Sequence, residues 1–133
     1  MLNSFELIDI STQDKGFYLF DVPKKFSLSP DIVIKKEVDM VILDTKWKLL
    51  INNERMNYGV SQADMYQMYA YAKKYNAKKV LVLYPLNQEM NQYFEQGITF
   101  RSEDILIKLL FIDLINIDES IINLKNEIIS LNI

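Results

Sequence analysis

The chain has 133 residues, half of them hydrophobic and a quarter charged, with a formal net charge of -3; this size and balance fit a single globular domain rather than a disordered segment. It contains no cysteine and no histidine, which excludes disulfides, thiolate or imidazole metal sites, cysteine nucleophiles and Ser-His-Asp triads, and leaves only oxygen ligands of the kind suited to Mg2+, Mn2+ or Ca2+. The three glycines, Gly16, Gly59 and Gly97, belong to no phosphate-binding loop, so a P-loop NTPase is excluded as well.

No segment reaches the roughly 18 uninterrupted apolar residues of a membrane span; the longest candidate, at 105 to 117, contains Lys108 and Asp113. The N-terminal "MLNSFELIDI" has no basic region leading into an apolar stretch, so no signal peptide is expected and the expected setting is cytoplasmic. The acidic total does not advertise nucleic-acid binding, although a local basic patch can coexist with it.

In chain order, "FYLF" at 17 to 20 reads as a short strand, and 22 to 30 as a polar connection broken by two prolines. Residues 31 to 35 and 39 to 50 are β-branched and apolar and are joined by a charged stretch, so a hairpin is the simplest arrangement. After a polar loop at 52 to 59 the hydrophobic period becomes helical. The spacing predicts a helix over 61 to 75, with Ser61 and Asp64 forming an S-x-x-D capping pattern and Met65, Met68, Tyr69 and Ala72 forming the apolar stripe. A second stripe carries Asp64, Gln67, Tyr71 and Lys74.

"KKVLVLYP" at 78 to 85 is a continuous apolar run, as in a strand buried on both faces. A loop or short helix at 87 to 96 precedes two further strands, "ITFR" and "DILIKLLFIDL". Asp118 is placed to cap a closing helix at about 119 to 131, with Ile121, Leu124, Ile128 and Leu131 as its stripe. Together these elements predict an α/β fold, a mixed sheet flanked by helices, in one domain without repeats or linkers.

The chemistry concentrates in "PDIVIKKEVDMVILDTKWKLL", residues 30 to 50. Side chains two apart on a strand share a face, so Asp44, Lys46 and Lys48 project together while Thr45 and Trp47 point the other way. If residues 31 to 35 pair with that strand, Asp31 lies beside Asp44. Two adjacent carboxylates repel one another, and a hard divalent cation is the usual means of keeping both ionised. Mg2+ commonly takes one or two protein carboxylates and leaves its remaining positions to water and phosphate, so Asp31, Asp44 and the Thr45 carbonyl would suffice. Lys46 could then orient or help deprotonate an attacking water and stabilise developing negative charge, which points to phosphodiester hydrolysis. The plainer alternative is that Asp31 ends a strand and "DTKWK" is the strand's solvated face.

Taken together, "PDIVI", "ILDTKWK", "SQADMYQMYAYA" and "VLVLYP" resemble the nuclease domain of the McrC family, the endonuclease subunit of modification-dependent McrBC restriction systems. The likeness runs from about residue 28 to 85. It implies the restriction-endonuclease-like fold of the PD-(D/E)xK superfamily. By that resemblance Asp31 and Asp44 are metal ligands, Lys46 is the catalytic lysine, and Gln67 with Tyr71 forms a Q-x-x-x-Y element that supports the site and contacts DNA. Gln62 and Tyr66 have the same spacing, but the helical wheel favours the later pair, which lies on one polar stripe with Asp64; the plainer alternative for Tyr71 is an ordinary tyrosine packed between helix and sheet.

The resemblance implies a Mg2+-dependent DNA endonuclease, with Mn2+ able to substitute. It also implies modified DNA as substrate, an AAA+ GTPase (McrB-like) partner, and a homodimer for double-strand cleavage. Many relatives carry a helix ahead of the PD strand that contributes another acid, for which Glu6 is the candidate here. A full McrC subunit also has a substantial N-terminal region that engages its GTPase partner, so this stretch is expected to correspond to an isolated catalytic domain or a shortened homologue. The competing expectation is a non-catalytic nuclease-fold module for DNA binding or assembly.

Overall fold

The computed structural model describes residues 8–12 and 16–130. Six strands form one sheet: β1 (Ile8–Thr12), β4 (Ile32–Lys36), β5 (Asp39–Thr45), β6 (Lys79–Pro85), β8 (Ile105–Ile112) and β7 (Ile98–Ser102), in that spatial order. The pairs β1–β4, β4–β5 and β7–β8 are antiparallel, whereas β5, β6 and β8 run parallel. Helix α1 (Gln62–Lys74) connects β5 to β6, and α2 (Ile117–Ser130) follows β8. The expected mixed sheet flanked by helices is therefore present.

Residue parity along the strands decides what each helix covers. Val33, Ile42, Val80, Val82, Tyr84, Ile107, Leu109 and Phe111 form one core with Met68, Tyr71 and Ala72 of α1. Their odd-and-even counterparts Ile34, Val41, Leu43, Leu81 and Leu110 form a second core, against which Leu124 and Ile128 of α2 pack. β6 contributes to both, which is why it reads as an unbroken apolar run. Its one charged member, Lys79, is 3% exposed; its Nζ donates to the Glu127 carbonyl at 2.8 Å and meets Glu127 Oε1 at 3.2 Å. Lys108 donates to the other Glu127 oxygen, so one carboxylate of α2 is shared by two lysines beneath it.

Helix α1 starts as its sequence directs. Ser61 is the N-cap, and its Oγ accepts the Asp64 N–H at 3.0 Å. At the other end Asn76 takes φ 52°, and the Ala77 N–H reaches the Ala72 carbonyl at 2.9 Å while the Asn76 N–H reaches Lys73 at 3.3 Å. This is a Schellman closure with asparagine in the left-handed position usually given to glycine.

Several boundaries differ from expectation. β5 ends at Thr45 rather than near residue 50. On one side its partner strand is preceded by Pro30, which has no N–H to pair, and on the other β6 ends at Pro85. Only the Lys46 N–H continues the ladder, to Leu83 O at 2.9 Å. The connection at 22 to 30 contains a strand, β3 (Lys25–Leu28), which pairs with β2 (Phe17–Phe20) in a separate two-stranded sheet. The two prolines bound this strand instead of interrupting it. The hairpin rests on the end of α1 through an edge contact of Phe17 with Tyr75 and an ion pair between Lys74 and Asp21 at 3.3 Å. Strand β1 lies where no element was anticipated, and Glu6 falls outside the described residues.

Helix α2 begins two residues earlier than expected, so Asp118 sits within its first turn rather than at the cap; an acid there still suits the helix N-terminus. Leu124 and Ile128 of its stripe are packed while Ile121 is exposed, and Leu131 lies outside the described residues. The expected segment at 87 to 96 contains a 3-10 helix, Gln88–Tyr93. Among the described residues no helix is long and apolar enough to cross a membrane.

Candidate active site

The β4–β5 register pairs Ile32 with Leu43, so the next step sets Asp31 opposite Asp44. Parity turns Asp44 to the α1 side of the sheet, in line with Ile42, and burial leaves it 4% exposed. The Asp31 N–H donates to Asp44 Oδ1 at 3.1 Å. Asp31 in turn uses Oδ2 to accept the Thr45 N–H at 2.8 Å and the Thr45 hydroxyl at 2.6 Å. The two aspartates are thus linked twice, Asp44 to the backbone of Asp31 itself and Asp31 to Thr45, the residue after Asp44. In an antiparallel pairing, N–H and C=O of one residue face the same neighbour, which directs the Thr45 carbonyl toward the Asp31 side.

Lys46 lies on the same face as Asp44. Its Nζ is 3.2 Å from Asp44 Oδ2, donates to Gln67 Oε1 at 2.7 Å, and is 3.6 Å from Asp64 Oδ1. Lys48, two residues on, donates to Asp64 Oδ2 at 2.8 Å. The alternation expected from strand geometry therefore persists beyond the end of β5, and Trp47 between them is 76% exposed. Gln67 stands where the helical wheel put it.

Tyr71 takes the setting of a tyrosine packed between helix and sheet rather than that of a DNA contact. It is buried in the α1 core, and its hydroxyl oxygen hydrogen-bonds to the Ser29 backbone just ahead of Pro30 and Asp31. A side chain 2% exposed braces the turn that carries Asp31 and has no surface with which to touch DNA. The alternative pair, Gln62 and Tyr66, faces away from the cluster. With Met65, Tyr69, Phe100 and Arg101 it lines a groove of about 410 Å3 on the other flank of α1. None of Asp31, Asp44, Lys46 or Gln67 borders that groove.

The electrostatics follow from burial. Desolvation pushes the Asp44 carboxyl above the usual aspartate range and the nearby Asp31 charge adds to this; the Asp31 N–H and the Lys46 ammonium only partly offset it. Tyr71 is pushed up to about 12 by burial and then by the charges of Asp44 and Asp31. Burial, with Asp64 and Asp44 nearby, raises Tyr84 too. For Asp64, burial alone would raise the carboxyl, but hydrogen bonds with Lys48 and Ser61 and the charges of Lys46 and Lys48 outweigh it and hold the group below its ordinary value.

Among the described residues no three acidic side chains converge as a ready-made cage. Asp31 and Asp44 supply two carboxylates, which suits a cation that keeps water and phosphate in its other positions. Two features of the cluster were missed in the sequence: the Thr45 side chain as a clamp on Asp31, and Asp64 as a partner of both lysines. Asp64 was already on the polar stripe with Gln67, which was the available signal.

Comparison with known proteins gives a consistent result. A solved structure described as a refined half-complex from the tetradecameric assembly of Thermococcus gammatolerans McrB AAA+ hexamers with bound McrC matches with a TM-score of 0.66 at 14% identity. The match covers 98% of this chain and 30% of that one, so the present chain spans under a third of its length. At that identity the likeness is one of fold. No curated protein sequence matches. The model of the family described as McrBC 5-methylcytosine restriction system component matches residues 4–85. That span includes both aspartates, Lys46, α1 and β6, and it bears out the McrC resemblance: the chain belongs to the McrBC 5-methylcytosine restriction system component family.

Proposed function

We propose that this chain is the metal-dependent DNA-cleaving domain of a McrBC-type restriction system, built on the PD-(D/E)xK plan. The observation that carries the reading is the convergence of Asp31, Asp44 and Lys46 at the end of one strand pair, with Gln67 of the following helix on the lysine. Asp31, Asp44 and the Thr45 carbonyl are the groups that would hold Mg2+ or Mn2+, and their all-oxygen chemistry fits such an ion. When bound, the ion would make water more acidic and offset phosphate charge.

The remaining work falls to the chain's own groups. Thr45 orients the Asp31 carboxylate, and Tyr71 steadies the turn ahead of it. Lys46, held by Gln67, presents an ammonium where an attacking water and the scissile phosphate would meet, and stabilises charge developing on the phosphoryl oxygens. DNA, in modified form, is the proposed substrate. An AAA+ GTPase (McrB-like) is the proposed partner, supported by family membership and by the assembly in which the matched fold occurs. Double-strand cleavage would call for two copies of the site.

A supercoiled plasmid incubated with Mg2+, the chain and a McrB-type GTPase with GTP tests this reading. Nicking that disappears in Lys46→Ala, with the fold intact, supports it; equal nicking by the variant contradicts it. The second reading, a nuclease-fold module that binds or assembles without cutting, draws on one observation: the Lys46 ammonium lies 3.2 Å from Asp44 Oδ2, close enough to balance that carboxylate by itself. It predicts DNA or partner binding with no cleavage under any metal.

A further inference from the structure

Lys46 and Lys48 share one carboxylate. Asp64 offers Oδ1 to Lys46 at 3.6 Å and Oδ2 to Lys48 at 2.8 Å. Asp64 is itself well fixed: it lies in the first turn of α1, its N–H is held by the Ser61 cap at 3.0 Å, and its side chain is largely shielded from solvent. The cluster therefore contains three carboxylates, Asp31, Asp44 and Asp64, against two ammoniums, Lys46 and Lys48. That leaves one negative charge, and a divalent cation would reverse the sign.

This balance has a consequence for Lys46. Its three oxygen neighbours are Asp44 Oδ2, Gln67 Oε1 and Asp64 Oδ1. A cation taken up by Asp44 would compete for Asp44 Oδ2 and repel the ammonium. The two acceptors that then remain are both on α1, and Gln67 is neutral. We infer that Asp64 is a positioning residue for Lys46, supplying the negative charge that keeps the lysine seated over the reaction centre when Asp44 is engaged elsewhere. Lys48 binds the other oxygen of the same carboxylate and competes with Lys46 for its charge. The inference rests on the nuclease reading for its catalytic meaning, but its geometry stands without it.

Asp64→Asn keeps the shape and removes the charge. Cleavage by the complex should then fall at least roughly tenfold in kcat, with KM for DNA changed little, and Asp64→Glu should recover much of it. An activity-independent readout is the Nζ resonance of Lys46 in 15N-lysine-labelled chain, since a seated ammonium exchanges its protons slowly. With Mg2+ present at saturating concentration, its signal should be protected in the parent, lost in Asp64→Asn, and retained in Ser61→Ala, which removes the helix cap but not the carboxylate. Should Asp64→Asn fail to fold, Lys48→Ala carries the test: Asp64 then serves Lys46 alone, and the Lys46 signal should stay protected.

An unchanged Lys46 signal in Asp64→Asn, equal loss in Ser61→Ala, or loss in Lys48→Ala would overturn the inference. A parent that protects Lys46 but cuts no DNA would instead overturn the nuclease reading and leave the positioning role standing.

Discussion

Asp31 and Asp44 are tied to one another by a backbone bond rather than by a shared proton: the Asp31 N–H donates to Asp44 Oδ1 at 3.1 Å, while the Asp31 carboxylate is turned onto Thr45. This fixes the orientation of both carboxylates before any ligand arrives. Preorganisation of that kind is what a metal-assisted reaction needs from its protein.

The Thr45 hydroxyl is the more replaceable half of that clamp. Thr45→Val keeps the strand residue and the N–H bond to Asp31 but removes the hydroxyl at 2.6 Å. Hydrogen bonds to charged groups are worth about 1.5–3 kcal/mol when well shielded, and this one is exposed, so plasmid nicking is expected to fall only several-fold. Thermal unfolding should move by a few degrees at most. Unimpaired nicking would show that Asp31 needs no such orientation.

Tyr71→Phe separates bracing from DNA contact. Loss of the hydroxyl bonded to the Ser29 backbone should cost about 1 kcal/mol of stability, measurable by denaturant titration, and reduce cleavage modestly. Affinity for DNA, followed by fluorescence anisotropy, should not change, because the side chain is buried. A large loss of affinity with full stability would return Tyr71 to the DNA surface.

The strand-period reading carried far at this site because two residues apart on a strand is one face, and because Pro30 and Thr45 bracket a hairpin whose register leaves Asp31 opposite Asp44. The wheel located Gln67 equally well. It could not set the depth of Tyr71: an angular position on α1 does not say how far the phenol ring reaches into the gap between helix and sheet. β1 and β3 were illegible for a different reason. Four or five residues with mixed polarity become strands only when β4 or β2 is there to pair with them, and that is tertiary information. The Lys79–Glu127 pair, 48 positions apart in sequence, left no local trace at all.

That distant pair gives a stability prediction separate from the site. Glu127→Gln would leave Lys79, 3% exposed, with its charge unmatched, and should cost about 3 kcal/mol, the low end for breaking a buried ion pair because Glu127 is partly exposed. Burial alone would raise the Glu127 carboxyl, but hydrogen bonds from Lys108 and Lys79 and their charges hold it below its ordinary value of 4.5. Its contribution is therefore present above that value and lost as pH falls through the lowered one. Urea melts of parent and variant should differ most near neutrality and converge in strong acid, with metal binding the same in both.

Asp44 has the opposite sign. Burial raises its carboxyl above 3.8, so the folded chain holds that proton to higher pH than the unfolded chain does, and stability without metal declines as pH rises through this window. A cation needs the ionised form. Divalent-metal affinity should therefore disappear on acidification at a pH where ordinary aspartates are still charged, and Lys46→Ala, which removes an opposing positive charge, should move that midpoint higher. A midpoint at or below the ordinary value would mean that Asp44 is not the titrating ligand.

The central claim, that Asp31 and Asp44 form a divalent-metal site, is tested most directly by calorimetric titration of the folded chain with Mn2+ near neutral pH, beside Asp44→Asn. Saturable binding in the parent that is lost in the variant, with the fold of both verified by circular dichroism, is the expected result. Binding of equal strength in both, or none in the parent even with DNA present, would contradict it.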